Sequence, residues 1–267
     1  MKRKFSLFVL LASFVCFSFG QEIEDKPEVL QCPIIGASFG YVIPKGNLGE
    51  MFSPFLQVGF NGTYKTKTNW LFQFDGNFNF GSDNLKSEAR SEILKDLHGT
   101  SGVIIGTESI EKGTVFPENI DAGILAYNRG GNLSLKAGKI FPVFKKNPNS
   151  GIFVMGGVGG FQNKIIYEAV FNAIDQLSDD YAKGYDRKIR GFQLTELVGY
   201  WFMNNTSHYF NFFIGVEFGQ SWSKSARKYQ FDLRGKDDKT YFDQTYSLKV
   251  GWMFPLGSRK ASGFYYN

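Results

Sequence analysis

The chain has 267 residues, of which 43% are hydrophobic and 17% aromatic, with 29 phenylalanines among them. Of its 30 basic residues, Lys2, Arg3 and Lys4 sit at the extreme N-terminus, and without them the balance is 27 basic against 25 acidic, which gives no reason to invoke nucleic acid. Only two cysteines occur, Cys16 and Cys32, and with Cys16 in a leader segment an internal disulfide framework is excluded.

Taken in chain order, the first element is a leader. Three positive residues precede an apolar run, Phe5 to Phe17, and the small residues Ser18 and Gly20 stand before Gln21. This pattern reads as a secretory signal peptide over 1–20, the apolar run being too short for a spanning helix. Beyond it, no stretch of eighteen consecutive apolar residues occurs. The expected division is a signal peptide over 1–20, a periplasmic N-terminal segment over 21–33, a barrel over 34–254 and a periplasmic tail over 255–267.

The strongest signal is a two-residue alternation rich in phenylalanine. Trp70, Phe72, Phe74, Phe78 and Phe80 share one face of a strand, and Gln73, Asp75, Asn77 and Asn79 share the other. The stretch 209–222 repeats the pattern, with Phe210, Phe212, Ile214, Val216 and Phe218 against Asn211, Gly215, Glu217 and Gly219. One oily face and one small polar face is what a membrane-spanning β-barrel requires, with lipid outside and a polar lumen inside. Strands are predicted at 34–42, 54–65, 69–81, 121–142, 152–168, 189–203, 208–224 and 241–254. Short links at Thr66–Thr68, Val143–Gly151 and Asn204–Ser207 alternate with long ones at 43–53, 82–120, 169–188 and 225–240. Tight periplasmic turns and longer outside loops follow this order. The fold class is therefore all-β: an antiparallel up-and-down transmembrane barrel of eight strands. Ten is the alternative if a hairpin from Gly102–Gly106 to Asp121–Tyr127 enters the bilayer.

The long loops carry helical hints. Leu85, Ala89, Ile93 and Leu97 recur at three- to four-residue spacing, with Ser82 or Asp83 as cap and Gly99 as stop, and Ser178–Lys183 before Gly184 makes one short turn. Aromatic girdles are expected at both rims: Trp70, Tyr64, Trp201, Tyr200, Trp252 and Phe254 at the periplasmic ends, and Tyr41, Phe80, Tyr167, Trp222 and Tyr241 at the outer ends.

Four charged residues are assigned to the lumen: Asp75, Glu196, Glu217 and Lys249. Simple counting puts Glu196 on the Phe192/Leu194/Val198 face, so a bulge near Thr195 is expected to turn it inward. An ion-pair cluster filling a narrow barrel is favoured over a catalytic carboxylate pair. A second candidate is an extracellular contact loop with Tyr181, Lys183, Tyr185, Asp186 and Arg187, facing either a protein partner or lipopolysaccharide sugars and phosphates. The chain lacks CxxC, HExxH and EF-hand patterns, so no metal and no cofactor are expected. His98 near Ser101 is the one hint of an acyl-modifying enzyme, and His208 sits at a short turn. The reading is non-enzymatic, with a lipid-modifying enzyme and a small-solute pore as alternatives.

Asn69-Trp70-Leu71-Phe72, Asn147–Gly160, Lys183-Gly184-Tyr185-Asp186-Arg187 and Gly251-Trp252-Met253-Phe254-Pro255 together make the chain resemble the small outer-membrane β-barrels of the Bacteroidota, of the PorT-like or OmpA/OmpX-like kind. The resemblance implies an outer-membrane address in a Gram-negative cell. It further implies contact with membrane lipid and lipopolysaccharide, and a structural or accessory role with a secretion or assembly complex as protein partner. Tyr246, Leu248, Val250, Trp252 and Phe254 resemble the terminal-strand signal read by barrel-assembly machinery, displaced inward by the thirteen residues Pro255–Asn267. Unlike in OmpA, no C-terminal peptidoglycan-binding domain is expected, with thirteen residues after the last predicted strand.

Overall fold

The computed structural model describes residues 28–94, 124–144, 146–169, 177, 180–204 and 209–256. The leader, His98, Ser101, Gly102–Gly106, His208 and residues 257–267 lie outside them. Eight strands run in chain order: β1 Cys32–Gly46, β2 Phe55–Lys65, β3 Trp70–Phe80, β4 Ile124–Pro142, β5 Gly151–Ala169, β6 Ile189–Met203, β7 Asn211–Ser225 and β8 Thr240–Pro255. Each pairs antiparallel with its neighbour in sequence, and β8 returns to β1 from Ile34↔Pro255 to Gly46↔Asp243. This direct closure settles the strand number at eight and overturns the ten-strand alternative.

Closure follows from the alternation. A strand edge left open in hydrocarbon would strand a row of N–H and C=O groups, so a spanning sheet must close on itself. Phe60, Phe72, Phe78, Leu133, Leu135 and Val216 project outward and are half or more exposed, while Asn61, Gln73, Asn77, Ser134, Lys136 and Glu217 on the same strands are buried inside. Each strand therefore turns its oily side out, the reverse of a soluble sandwich. The barrel presents a lipid belt and encloses a polar interior.

The short turns sit at one end. Between β2 and β3, Asn69 adopts a left-handed φ of 63°, and its N–H donates to the Thr66 carbonyl at 3.1 Å, while the Thr66 N–H donates to the Trp70 carbonyl at 2.9 Å. Between β4 and β5, Asn147 Nδ2 donates to the Met203 carbonyl at 2.8 Å and ties that turn to the end of β6. At the other end the long connections fold back over the barrel. Helix α1 (Asn47–Met51) follows β1, and helix α2 (Ser87–Ile93) follows β3. A 3-10 turn, Tyr181–Gly184, precedes β6.

Several expectations are corrected. Asp83 does not cap α2. Lys86 occupies the N-cap without a side-chain bond, and Asp83 instead pairs with Arg90 and accepts from the Ala126 N–H at 3.0 Å. The helix starts late because Leu85 is held in an isolated bridge with Phe52. Trp201 and Tyr167 are not girdle residues. Both occupy inward positions of the alternation and are buried, whereas Trp70, Trp252 and Trp222 face outward as expected. Strand β1 also begins at Cys32, ahead of the expected start at 34, and runs on to Gly46.

The interior has three levels. At the outer end, Leu48 and Phe52 of the first long loop, Leu85, Ile93 and Leu94 of the second, and Leu177 and Tyr185 of the third pack on Val42, Ile124 and Ile165 of the strands. At the end of the short turns, Leu71, Ile140, Phe153, Trp201, Phe213 and Met253 form a second apolar cluster inside the barrel. Polar side chains fill the length between.

Candidate functional site

The middle level holds a charge quartet. Asp75 projects inward from β3, Glu217 from β7 and Lys249 from β8, because each is on the polar side of its strand's alternation. A fourth member, Lys136, comes from β4 in the run Leu133-Ser134-Leu135-Lys136, whose leucines face lipid. Lys136 Nζ donates to Asp75 Oδ2 at 2.7 Å and to Glu217 Oε2. Lys249 Nζ lies 2.9 Å from Glu217 Oε1 and 3.5 Å from Asp75 Oδ2. Asn77 Nδ2 adds a bond to Asp75 Oδ2 at 2.8 Å. Two cations and two anions alternate around a closed loop of contacts, and all four side chains are almost wholly excluded from solvent.

Neutrality is the point of the arrangement. A single buried charge in so narrow a lumen costs several kcal/mol, and each ammonium here offsets both carboxylates. Gly157 on β5 makes room for it, since a Cβ there would sit 2.5 Å from Lys136 Cγ. Above the quartet, Gln57 Nε2 donates to Asn79 Oδ1 at 2.8 Å, and a small cavity of about 50 Å³ is lined by Asn79, Asn132, Asn163, Gln193 and Thr195. Below it, Trp201 and Phe213 stack at 6.0 Å with Phe153 edge-on to both. Gly251 leaves the space that the Phe213 ring fills. The lumen is thus occupied by a neutral ion cluster and closed beneath by an aromatic plug.

Glu196 is not a member. Strands β5, β6 and β7 pair without interruption through Gly156↔Glu196 and Glu196↔Phe218, so no bulge exists near Thr195. Thr195 is inside and Glu196 is exposed on the lipid face with Leu194 and Val198. Strand β5 likewise pairs without a break on both sides through its glycines. Gly156 faces outward with open space around it, and Gly157 faces Lys136. A carboxylate in the belt opposes insertion. Glu196→Leu is expected to raise unfolding stability in lipid by about 1–2 kcal/mol, read as a shifted denaturation midpoint. An unchanged midpoint would place Glu196 outside the hydrocarbon.

The contact loop is divided by the structure. Tyr181 and Lys183 are exposed, with Tyr181 stacked on Phe231 at 5.6 Å and Lys183 paired with Asp180. Tyr185 and Asp186 are buried, so they cannot form a contact surface. Asp186 Oδ1 accepts from Arg227 Nε at 2.9 Å, and its Oδ2 pairs with Arg227 Nη2. Arg187, held at a left-handed φ of 42°, pairs with the buried Asp232. These residues are buckles between the third and fourth long loops. The Asp186 carboxylate holds the Arg227 guanidinium above its ordinary range, and burial pushes the Asp232 carboxyl up against the opposing pull of Arg187. Asp186→Asn is expected to leave the barrel intact while exposing Arg227 and Arg234 to trypsin; an unchanged digestion pattern would show that the pair does not hold the loops.

Among known proteins, no family model matches the chain and no curated protein matches it. Solved structures of similar shape exist. The attachment invasion locus protein Ail of Yersinia pestis, in complex with the heparin analogue sucrose octasulfate, is 11% identical, with a TM-score of 0.39 over 84% of this chain and 99% of that one. Neisserial surface protein A is 10% identical, with a TM-score of 0.40 over 84% and 97%. A major outer membrane protein of Thermus thermophilus gives 10% and 0.40 over 83% and 99%. The architecture rests on the strand pairing and the oily exterior, and these decide the address. The chain is an outer-membrane β-barrel. Its long connections gather at one end and its short turns at the other.

Proposed function

We propose that this barrel is a non-enzymatic accessory of the outer membrane, carrying a rigid extracellular platform that docks a component of a secretion or assembly complex. The observation that supports this reading is the way the long loops are bound to one another. Their apolar residues share one core, Arg187–Asp232 and Arg227–Asp186 buckle the third loop to the fourth, and the Phe231 N–H donates to the Gly184 carbonyl at 3.0 Å. Loops that served only as solvated links would not need this anchoring. The platform displays Tyr181, Tyr229 and Leu233, which are 61%, 50% and 45% exposed, beside Lys183 and Lys236. Exposed aromatics flanked by charge are suited to a protein partner. The filled lumen and aromatic plug speak against the small-solute pore.

A photo-crosslinking residue at Tyr229, in cells carrying the full chain, tests the reading. One reproducible partner band is expected, lost when the same residue is placed at the lipid-facing Val216. Crosslinks to lipid and solvent products alone would overturn the docking role, and stable single-channel steps in a planar bilayer would restore the pore.

A further inference from the structure

Outside the platform, the outer rim of β5 to β7 carries an unexplained band of positive charge. The outward positions of these strands change character at one level. On β6, Phe192 gives way to Arg190, and on β7, Trp222 gives way to Lys224. Phe192 and Trp222 are cross-strand partners with stacked rings at 6.4 Å, and Arg190 and Lys224 are partners one step further out. On β5, Gln162 is the cross-strand partner of Arg190 and Lys164 takes the next outward place, while Lys188 stands just ahead of β6. Arg190 Nε donates to Gln162 Oε1 at 2.8 Å, which fixes its guanidinium on the barrel wall.

These cations differ from those of the loops above. Lys183, Arg187, Arg227, Lys236 and Arg90 each pair with an aspartate. Among the described residues, no carboxylate lies within ion-pair distance of Lys164, Lys188, Arg190 or Lys224, and the nearby Asp186 is taken by Arg227. Burial and then the positive neighbours Arg190 and Arg227 hold the Lys188 ammonium below its ordinary range, against the opposing pull of Asp186, with Lys164 behind them. Asp186 offsets only part of this charge, since its carboxylate is shared with Arg227, and the like charges that remain repel one another unless an anion from outside the chain is shared among them.

We propose that Lys164, Lys188, Arg190 and Lys224 form a binding site for the phosphorylated headgroup of an outer-leaflet glycolipid, whose acyl chains lie on Phe192 and Trp222 beneath. The position selects the ligand. The cations face sideways rather than up, directly above the oily belt, so the occupant must place phosphate at the interface and hydrocarbon below it. Arginine offers a planar fork to phosphate oxygens, and the lysines supply mobile point charges around it. A free anion would gain nothing from the Phe192–Trp222 wall, and a soluble protein could not reach below the rim to use it.

The test uses the full-length barrel in mild detergent with native mass spectrometry, offered bis-phosphorylated lipid A, its dephosphorylated form, phosphatidylglycerol and inorganic phosphate. The wild type is expected to retain bis-phosphorylated lipid A about tenfold better than the dephosphorylated form. The variant K164Q/K188Q/R190Q/K224Q is expected to lose that preference, while the control K183Q/K236Q keeps it. Equal retention of the two lipid A forms by the wild type overturns the site without recourse to any variant. So does a preference undiminished in the quadruple variant, shown to be folded by its heat-modifiable gel shift. Full displacement of the lipid by millimolar inorganic phosphate, or phosphatidylglycerol binding as tightly as bis-phosphorylated lipid A, would also overturn it.

Discussion

Replacing Lys136 with methionine is expected to lower unfolding stability by about 3–5 kcal/mol, because it leaves two buried carboxylates with one ammonium between them. Lys136 is the hub of the quartet, bonded to Asp75 at 2.7 Å and to Glu217, whereas Lys249 approaches Asp75 only to 3.5 Å. The methionine fills much the same space, so the loss is one of charge balance and not of packing. This makes the double variant decisive. Adding Glu217→Gln to Lys136→Met restores one cation against one anion and is expected to recover a large part of the lost stability. Glu217→Gln alone should destabilise too, by leaving the quartet positive. The measurement is a reversible denaturant titration in lipid or detergent, followed by tryptophan emission. Additive losses in the double variant would mean that the four groups do not act as one neutral unit.

Replacing Trp201 with alanine is expected to cost about 3–5 kcal/mol, the usual range for emptying a large aromatic site in a close-packed interior. Trp201 is 1% exposed and meets Phe213 in a parallel stack and Phe153 edge-on. Those rings belong to β5 and β7 on either side of β6, so the cavity would loosen three adjacent strands at once. Trp201→Phe should be far milder. Its ring keeps most of the contacts, and it removes an indole N–H that finds no partner among the described residues. A loss as large for phenylalanine as for alanine would mean that the indole nitrogen matters more than the packing. Removing the plug alone is not expected to create conductance, since the quartet above it still fills the lumen.

The architecture was legible because lipid-facing and lumen-facing residues must alternate without a break. Asn69-Trp70-Leu71-Phe72 carries a turn, an interface aromatic and the first oily position in four letters, and β3 begins at Trp70. Alternation gave Asp75, Glu217 and Lys249 their inward places and would have given Lys136 its own. The run Leu133-Ser134-Leu135-Lys136-Ala137 carries the same parity, but a lone lysine among small and aliphatic residues gives no local sign of the carboxylates it meets on β3 and β7. Glu196 failed for the opposite reason. The alternation puts it outside, and only the cost of a charge in lipid argues for a bulge. The register shows that the strand accepted that cost. Nearness to strand ends suggests girdle positions for Trp201 and Tyr167, although their parity along β6 and β5 points inward. The contact loop was hardest to read. A run of Tyr185-Asp186-Arg187 looks solvated until its partners Arg227, Phe231 and Asp232 are known, and these lie some forty residues further on. Pairing at that separation leaves no local pattern.

The four tryptophans offer the most direct test of which face meets hydrocarbon. Trp70, Trp222 and Trp252 project outward at the two rims, and Trp201 is buried in the lumen. Variants that each keep one of the four, with phenylalanine at the others, can be folded into vesicles of lipid brominated near the glycerol end of the acyl chain. The barrel described here predicts strong quenching of Trp70, Trp222 and Trp252 and little quenching of Trp201. Strong quenching of Trp201 with protection of the other three would mean that the strands are turned inside out.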